Sequence, residues 1–456
     1  MQLKRALIIC YIVGSVQPAF AQTDSMRCWS LDACIAYAQE HNIEIKTQEL
    51  TAESKRITFS ESKWAYAPDV SVSNGYNVSS GRVLDPTTYS FVENQTVQGN
   101  NTSISAGFTL FGGMSNLHNL RRAKLDLQAE LLGVEKTRND VTLNITAYYL
   151  EILCAEESIR NAEQIVATLQ IQEEKTAKQV EVRKVTTADL LQIQSQLANA
   201  ENEVLTARNQ LYIAKLNLCQ LLEIEDYMNF RTATPEKTLS AIDLLPHGVD
   251  EVVEAAHSLP QVRIAELEID IARRDVRIAQ AAYYPTLSIG AAYGSSFSDA
   301  RQKTFQNADG TYRFEAYPFF EQYKDNANKY LSVSLNVPIF GRLTARKRVQ
   351  KQKIAVQQAQ YALQTMRKQV TKEVNQAWID THTAWEKYRS SQKFVATATE
   401  AARQVERKYE LGVATVVDYN TALDNLVKAN SQLLQAKYEY LFKTRIIRFY
   451  QNSQRH

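Results

Sequence analysis

Residues able to do chemistry are scattered thinly through this sequence. The six histidines, His41, His118, His247, His257, His382 and His456, show no metal-ligand spacing. There is no phosphate-binding glycine loop and no G-x-S-x-G nucleophile turn. Five methionines, one of them the initiator, offer no ladder for a soft metal ion. No catalytic residue, metal or cofactor is therefore expected, and any energy source belongs to a partner. Two carboxylates stand out because they recur in one pattern, Thr186-x-x-Asp189 and Thr415-x-x-Asp418. That spacing fits a capping box, in which Thr186 and Thr415 cap returning helices. Copies of Asp418 gathered round an axis would also repel one another, raising at least one proton affinity and attracting cations. The capping reading stands on the residues alone; the second needs several copies of the chain around one axis.

Cysteine offers a third kind of chemistry. Cys10 aside, the chain holds Cys28, Cys34, Cys154 and Cys219, far too few for a disulfide-built fold. Cys154 and Cys219 lie 186 − 154 = 32 residues before and 219 − 186 = 33 after Thr186. They would sit at one height on antiparallel helices. Either they bridge, given side chains within bonding reach, or they are two small residues buried in a helical seam.

The elements that carry these residues follow from an internal duplication. The stretches SISAGFTLFGGMSNLHNLRRAK and SVSLNVPIFGRLTARKRVQ both change from alternating strand to helix, at Phe111-Gly112 and Phe340-Gly341. The offset is 340 − 111 = 229, and it carries Asp189 onto Asp418 and Thr186 onto Thr415. It also carries Leu190, Leu197, Val204, Leu211 and Leu218 onto Tyr419, Leu426, Leu433, Tyr440 and Ile447. Upstream, AYAPDVSVS and YYPTLSIGA pair at 285 − 68 = 217. A register held that long is a strong repeat signal.

Four segments alternate with period two: 69–78, 103–111, 286–294 and 330–340. One face is apolar, and the other is mostly Ser, Gly, Asn and Thr, which suits a wet lumen. That is the pattern of a membrane-spanning strand. Four strands cannot close a barrel, and open edges are not tolerated in lipid; three copies would supply twelve. The joining segments Ser79–Thr102 and Ser295–Lys329 read as long polar loops.

Glycine (14) and proline (9) are scarce, and residues 134–234 contain neither, so very long helices are expected. Helices are placed at 31–65, 115–182 and 187–222, with heptad rows such as Leu120, Leu127, Val134, Val141 and Tyr148, or Leu191, Ala198, Leu205 and Tyr212. A strict seven-residue period gives left-handed supercoiling, and two rows per helix mean two neighbours. The expected organisation is a signal peptide at 1–21, a first repeat at 22–222 with its turn near 183–187, a connector at 223–250, and a second repeat at 251–456 with its turn near 410–415. The apolar run near the start is too short to span a bilayer, and Cys28 lacks a lipid-attachment context, so an exported chain without a lipid anchor is expected. Lys plus Arg (52) nearly balances Asp plus Glu (50), which gives no support to a nucleic-acid partner.

At this point the pattern resembles the TolC-like outer-membrane efflux proteins. The resemblance covers the two repeats, the strand-to-helix junctions and, most specifically, the turn YELGVATVVDYNTA at Tyr409–Ala422 with its counterpart VRKVTTADLL at Val182–Leu191. It implies a mixed α/β membrane protein in the outer membrane of a Gram-negative bacterium. The implied assembly is a homotrimer, with a shared twelve-stranded barrel above an α-helical coiled-coil barrel in the periplasm. It further implies a passive exit duct for efflux or type I secretion, working with a periplasmic adaptor and an inner-membrane transporter of the RND, ABC or MFS class. The resemblance places Asp189, Asp418 and Tyr409 at a periplasmic aperture. It makes Arg183, Lys184, Val185, Gly412, Val413 and Ala414 adaptor-contacting turns. The family's locking arginine falls at Ala414 and a second acid at Thr421, so an arginine-based lock is not expected. The alternative is a secreted or periplasmic coiled-coil scaffold or adhesin without a pore, which leaves the four strands without a role.

Overall fold

The computed structural model describes residues 28–84, 91–233 and 248–452. The expected signal segment and the connector prolines, Pro235 and Pro246, lie outside the described residues. In chain order the elements are β1 (Cys28–Trp29), α1 (Leu31–His41), α2 (Ile43–Trp64), β2 (Asp69–Leu84), β3 (Phe91–Gly112), α3 (Ser115–Glu181), α4 (Thr187–Leu222) and β4 (Arg231–Thr232). There follow α5 (Val249–Ala256), α6 (Pro260–Ala281), β5 (Thr286–Ser298), β6 (Gln302–Gln306), β7 (Tyr312–Ala316), α7 (Phe319–Asp325), β8 (Asn328–Asn336), α8 (Thr344–Glu410) and α9 (Val416–Asn452).

The duplication is visible in element lengths. Helices α3 and α8 each have 67 residues, and α2 and α6 each have 22. At a rise of about 1.5 Å per residue, each long helix reaches about 100 Å. Even the backbone exceptions repeat. Met114 and Leu343, at φ 63° and 61°, are the left-handed residues that start α3 and α8, and 343 − 114 = 229.

The main sheet has strand order β2-β3-β5-β8, antiparallel throughout. Its register stacks like on like. Val72 pairs with Ile104, which pairs with Tyr293; Phe108 pairs with Ile289, which pairs with Val333. On the opposite face the Ser71 and Ser105 hydroxyls lie 3.0 Å apart, and those of Ser73 and Ser103 2.8 Å apart. A bulge between Thr109 and Phe111 brings Phe111 opposite Leu287 at the helix end of the sheet. Among the described residues of one chain most of the apolar face is uncovered, with Leu331 74% exposed and Val72 71%; at its far end α7 lies against it, Phe319 packing on Phe297. Beneath the sheet the attached helices keep the same order, α2 against α3, α3 against α6, and α6 against α8.

Several expectations are corrected. Ser79–Thr102 is not a loop, because β2 and β3 continue as a paired ribbon to Leu84 and Phe91. Its residues do not continue the single apolar face, yet its backbone goes on pairing, with one irregularity between Gly81 and Val83. Ser295–Lys329 holds the β6–β7 hairpin and α7. The last strand stops at Asn336 rather than 340, where Pro338 can donate nothing to a ladder. The helix expected over 31–65 breaks at Asn42, whose side chain accepts from Ile45 N (3.1 Å) and donates Nδ2 to the Leu221 carbonyl (2.9 Å).

Two cores hold the helices. One gathers Cys34, Ala38 and Ile45 with Val141, Ile145 and Ile152 of α3 and Leu218 and Leu222 of α4. The other joins Val252, Leu259 and Val262 to Val370 and Val374 of α8. The parallel β1–β4 pair, which the sequence reading missed, closes the first core near its waist. Tyr149 fixes it, its hydroxyl sitting 3.0 Å from the Trp29 carbonyl and 2.7 Å from that of Ala233.

Candidate functional site

The ends of the two long hairpins are built alike. Helix α3 closes with Lys184 N donating to Gln179 O (2.8 Å) and Arg183 N to Val180 O (2.9 Å). Helix α8 closes with Val413 N donating to Lys408 O (2.8 Å) and Gly412 N to Tyr409 O (2.9 Å). Both are Schellman turns, whose pivot must be left-handed. The pivots are Gly412 at φ 74° and Arg183 at φ 56°, and 412 − 183 = 229. Glycine adopts that conformation freely; arginine does so at a cost of about 1–2 kcal/mol.

The returning helices then start on the expected caps. Asp189 N donates to Thr186 Oγ1 (3.3 Å), while Thr186 N donates to Asp189 Oδ2 (2.9 Å). Asp418 N donates to Thr415 Oγ1 (3.2 Å), while Thr415 N donates to Asp418 Oδ2 (3.0 Å). The Thr415 hydroxyl and backbone N–H hold the Asp418 carboxyl below its usual range. Its capping is therefore intact above the ordinary carboxylate pKa and is lost as pH falls through the lowered one. Within one chain each aspartate serves its own helix, and neither bonds to the other.

Tyr409 lies back from the tip, stacked on Tyr419 with centroids 5.4 Å apart. Its hydroxyl is enclosed without a hydrogen-bond partner, as are both amide atoms of the buried Asn420. Sequence reasoning missed Asn420, whereas Tyr419 belongs to the heptad row that begins the second repeat's return. Thr421, at the position of the family's second acid, turns its hydroxyl onto Val417 O (2.8 Å). The turns themselves are bare. Arg183, Lys184 and Gly412 are exposed, Val185 and Ala414 half-buried, and Val182, Leu411 and Val413 stand 72%, 79% and 74% exposed.

Further up, Glu157 of α3 receives Lys437 Nζ (3.1 Å) and the Tyr438 hydroxyl (2.8 Å) of α9, tying the hairpins together. Of the two cysteine readings, the structure follows the one without a bridge. Cys154 and Cys219 are both free thiols. Cys154 lies on the α3 side beside Glu157 and Lys437, whereas Cys219 packs into the core containing Cys34. Burial pushes both thiols up to about 11.

At the other end, the polar face of the sheet encloses a shallow hollow of about 370 Å³ lined by Asp69, Ser71, Ser105, Gly290 and Ser332. Its apolar face is turned the opposite way. Among the described residues no helix is long and apolar enough to cross a membrane, and no group of three or more His, Cys, Asp and Glu could hold a metal.

A sheet greasy on one face and wet on the other, carried on hairpins about 100 Å long, defines a membrane-embedded protein with a coiled-coil extension. The chain belongs to the outer membrane efflux protein family, whose model matches residues 35–222 and 252–447. It is 22% identical to the outer membrane protein TolC of Escherichia coli K12 over 75% of this chain and 68% of that protein. It is 20% identical to the outer membrane efflux protein BepC of Brucella suis, over 95% and 86%. Among solved structures it matches the channel protein CusC with a TM-score of 0.78 at 14% identity, covering 93% of this chain and 91% of that one. It is an outer-membrane transport protein that extends into the periplasm.

Proposed function

We propose that three copies join edge to edge, β8 of one against β2 of the next, and close a twelve-stranded barrel. The matching order of strands and helices lets α8 of one copy meet α2 of the next, continuing the wall as a helical tunnel. The observation that carries this reading is the sheet itself: most of its greasy face is exposed, and among the described residues its two outer strands have no partner on their free sides. Lipid does not tolerate such edges. A second apolar row on α4 is equally uncovered, with Leu205 62% exposed, as expected for a helix awaiting another neighbour.

The trimer acts as a passive exit duct without catalysis of its own, for efflux or type I secretion. The bare apolar tips Val182, Leu411 and Val413 are suited to cover by a periplasmic adaptor, which links the duct to an inner-membrane transporter of the RND, ABC or MFS class. Asp189, Asp418 and Tyr409 line its narrow end. Purified protein added to a planar bilayer tests the reading. Discrete unitary conductance steps support a duct, whereas a protein that never raises conductance and leaves membranes in high salt is a scaffold.

A further inference from the structure

The charge just below the sheet is as uneven as its grease. From Asn326 to Lys372 the sequence contains no carboxylate. Within that stretch Arg342, Arg346, Lys347, Arg348, Lys351 and Lys353 follow the last strand within about three helical turns. All six are exposed, and among the described residues none forms an ion pair. At about 100° per residue they spread round α8 rather than along one stripe. Whichever side of the wall faces outward therefore carries several of them. Arg121 of the first repeat and Arg274 and Arg277 of α6 add to the belt, crowding His118 at the start of α3. Two acids at this level, Asp126 and Asp275, are already taken by Arg122 at 3.3 and 2.7 Å, and Glu61 near the end of α2 is a further one.

A second set of residues marks where the belt sits. Trp64, Tyr66, Tyr283, Tyr284 and Phe340, at the helix ends of the strands, are all exposed. Exposed aromatics at the ends of barrel strands mark the membrane–water boundary. The cations begin at Arg342, two residues past Phe340, and so lie at the depth of lipid phosphates.

We propose that this belt binds the phosphates of anionic phospholipid in the periplasm-facing leaflet, anchoring the barrel at a fixed depth by charge as well as by hydrophobic burial. Anionic surfaces attract nearby Lys and Arg at about 1 kcal/mol each, within a Debye length. The proposal rests on the sheet lying in lipid, and one experiment separates the two. The full-length protein is reconstituted with spin-labelled phosphatidylglycerol or phosphatidylcholine and read by electron paramagnetic resonance. A motionally restricted component with either lipid reports an inserted sheet; its absence sinks the barrel and the belt together. Given that component, the wild type should prefer phosphatidylglycerol about fivefold at low salt, the ratio that about 1 kcal/mol gives. The preference should fade in 1 M NaCl. The variant combining Arg346→Gln, Lys347→Gln, Arg348→Gln and Lys351→Gln should restrict phosphatidylcholine as the wild type does but show a preference near one. A fivefold preference that survives in the variant overturns the belt. So does competition by inorganic phosphate beyond that of chloride at equal ionic strength, which would make this a site for free anions.

Discussion

The joint between barrel and tunnel turns on one glycine. Gly113 ends the strand-to-helix junction of the first repeat at φ +60°. A Cβ placed there would lie 2.5 Å from the Ala281 carbonyl oxygen and 3.0 Å from both Ala281 Cα and Tyr284 Cβ. Those are atoms of the other repeat's junction, and two are backbone, so no side chain can swing aside. Gly113→Ala then combines left-handed strain of about 1–2 kcal/mol with overpacking of about 1–3 kcal/mol. The neighbouring junction supplies a control. Gly341 would meet nothing within 4 Å and has no left-handed φ, so Gly341→Ala should be silent. Detergent-purified wild type, Gly113→Ala and Gly341→Ala are compared by circular dichroism during heating. The first variant should melt lower by about 4 °C or more, taking about 2 °C per kcal/mol, and the second within about 1 °C of wild type. Equal melting of all three would refute the claim that the two junctions are wedged together at Gly113.

Other expectations follow from the hairpin ends and the waist. Asp418→Asn should lower the cation selectivity of single channels in planar bilayers; unchanged selectivity would leave that aspartate a cap alone. Arg183→Gly should relieve left-handed strain and stabilise the chain by about 1 kcal/mol, read as a higher melting temperature. If the turn docks an adaptor, the same variant should weaken co-purification with it. Tyr149→Phe removes the hydroxyl shared by the Trp29 and Ala233 carbonyls, and should cost about 1–3 kcal/mol in thermal or denaturant melts. Burial raises the Tyr149 phenol well above its ordinary pKa. Its contribution is thus complete below about pH 10 and lost as pH rises towards the raised value; the stability gap between wild type and variant should close there.

The duplication was legible because it is written in long-range spacing: the offset of 229 recurs in helix lengths, in the Met114 and Leu343 helix starts, and in the Arg183 and Gly412 pivots. The lipid-facing part of the sheet was legible for a related reason, since one greasy face forces alternation. Where that demand ends, so did the signal. The ribbon above Ser79 is mostly polar, its apolar pairs Val83–Val92 and Leu84–Phe91 coming only at the end, and it keeps no single apolar face that would separate a paired strand from a loop. The break at Asn42 depends on the Leu221 carbonyl, 179 residues away in sequence, and no local pattern contains that contact. The cysteines were placed by height alone, but height does not fix azimuth, and azimuth turned Cys154 toward α9 and Cys219 toward α1.

At the hairpin ends the caps were readable from Thr-x-x-Asp and Tyr419 from its heptad row, whereas the buried Asn420 was not. Tyr419 owes its burial to its own hairpin, stacking on Tyr409 of α8, and a lone helix would leave it in water. The heptads named the rows that seek neighbours without saying which neighbour each row finds. Val134 and Val141 are buried within one chain, while Leu191 and Leu205 remain exposed on it.

The central claim is that a chain with four strands completes its barrel only with two others. Native mass spectrometry of the protein extracted from membranes in mild detergent tests this directly. The account predicts a single dominant species at three times the mass of the mature chain, which falls to one chain on heating. A species that stays at one chain under the same extraction, with its sheet edges unpaired, would contradict it.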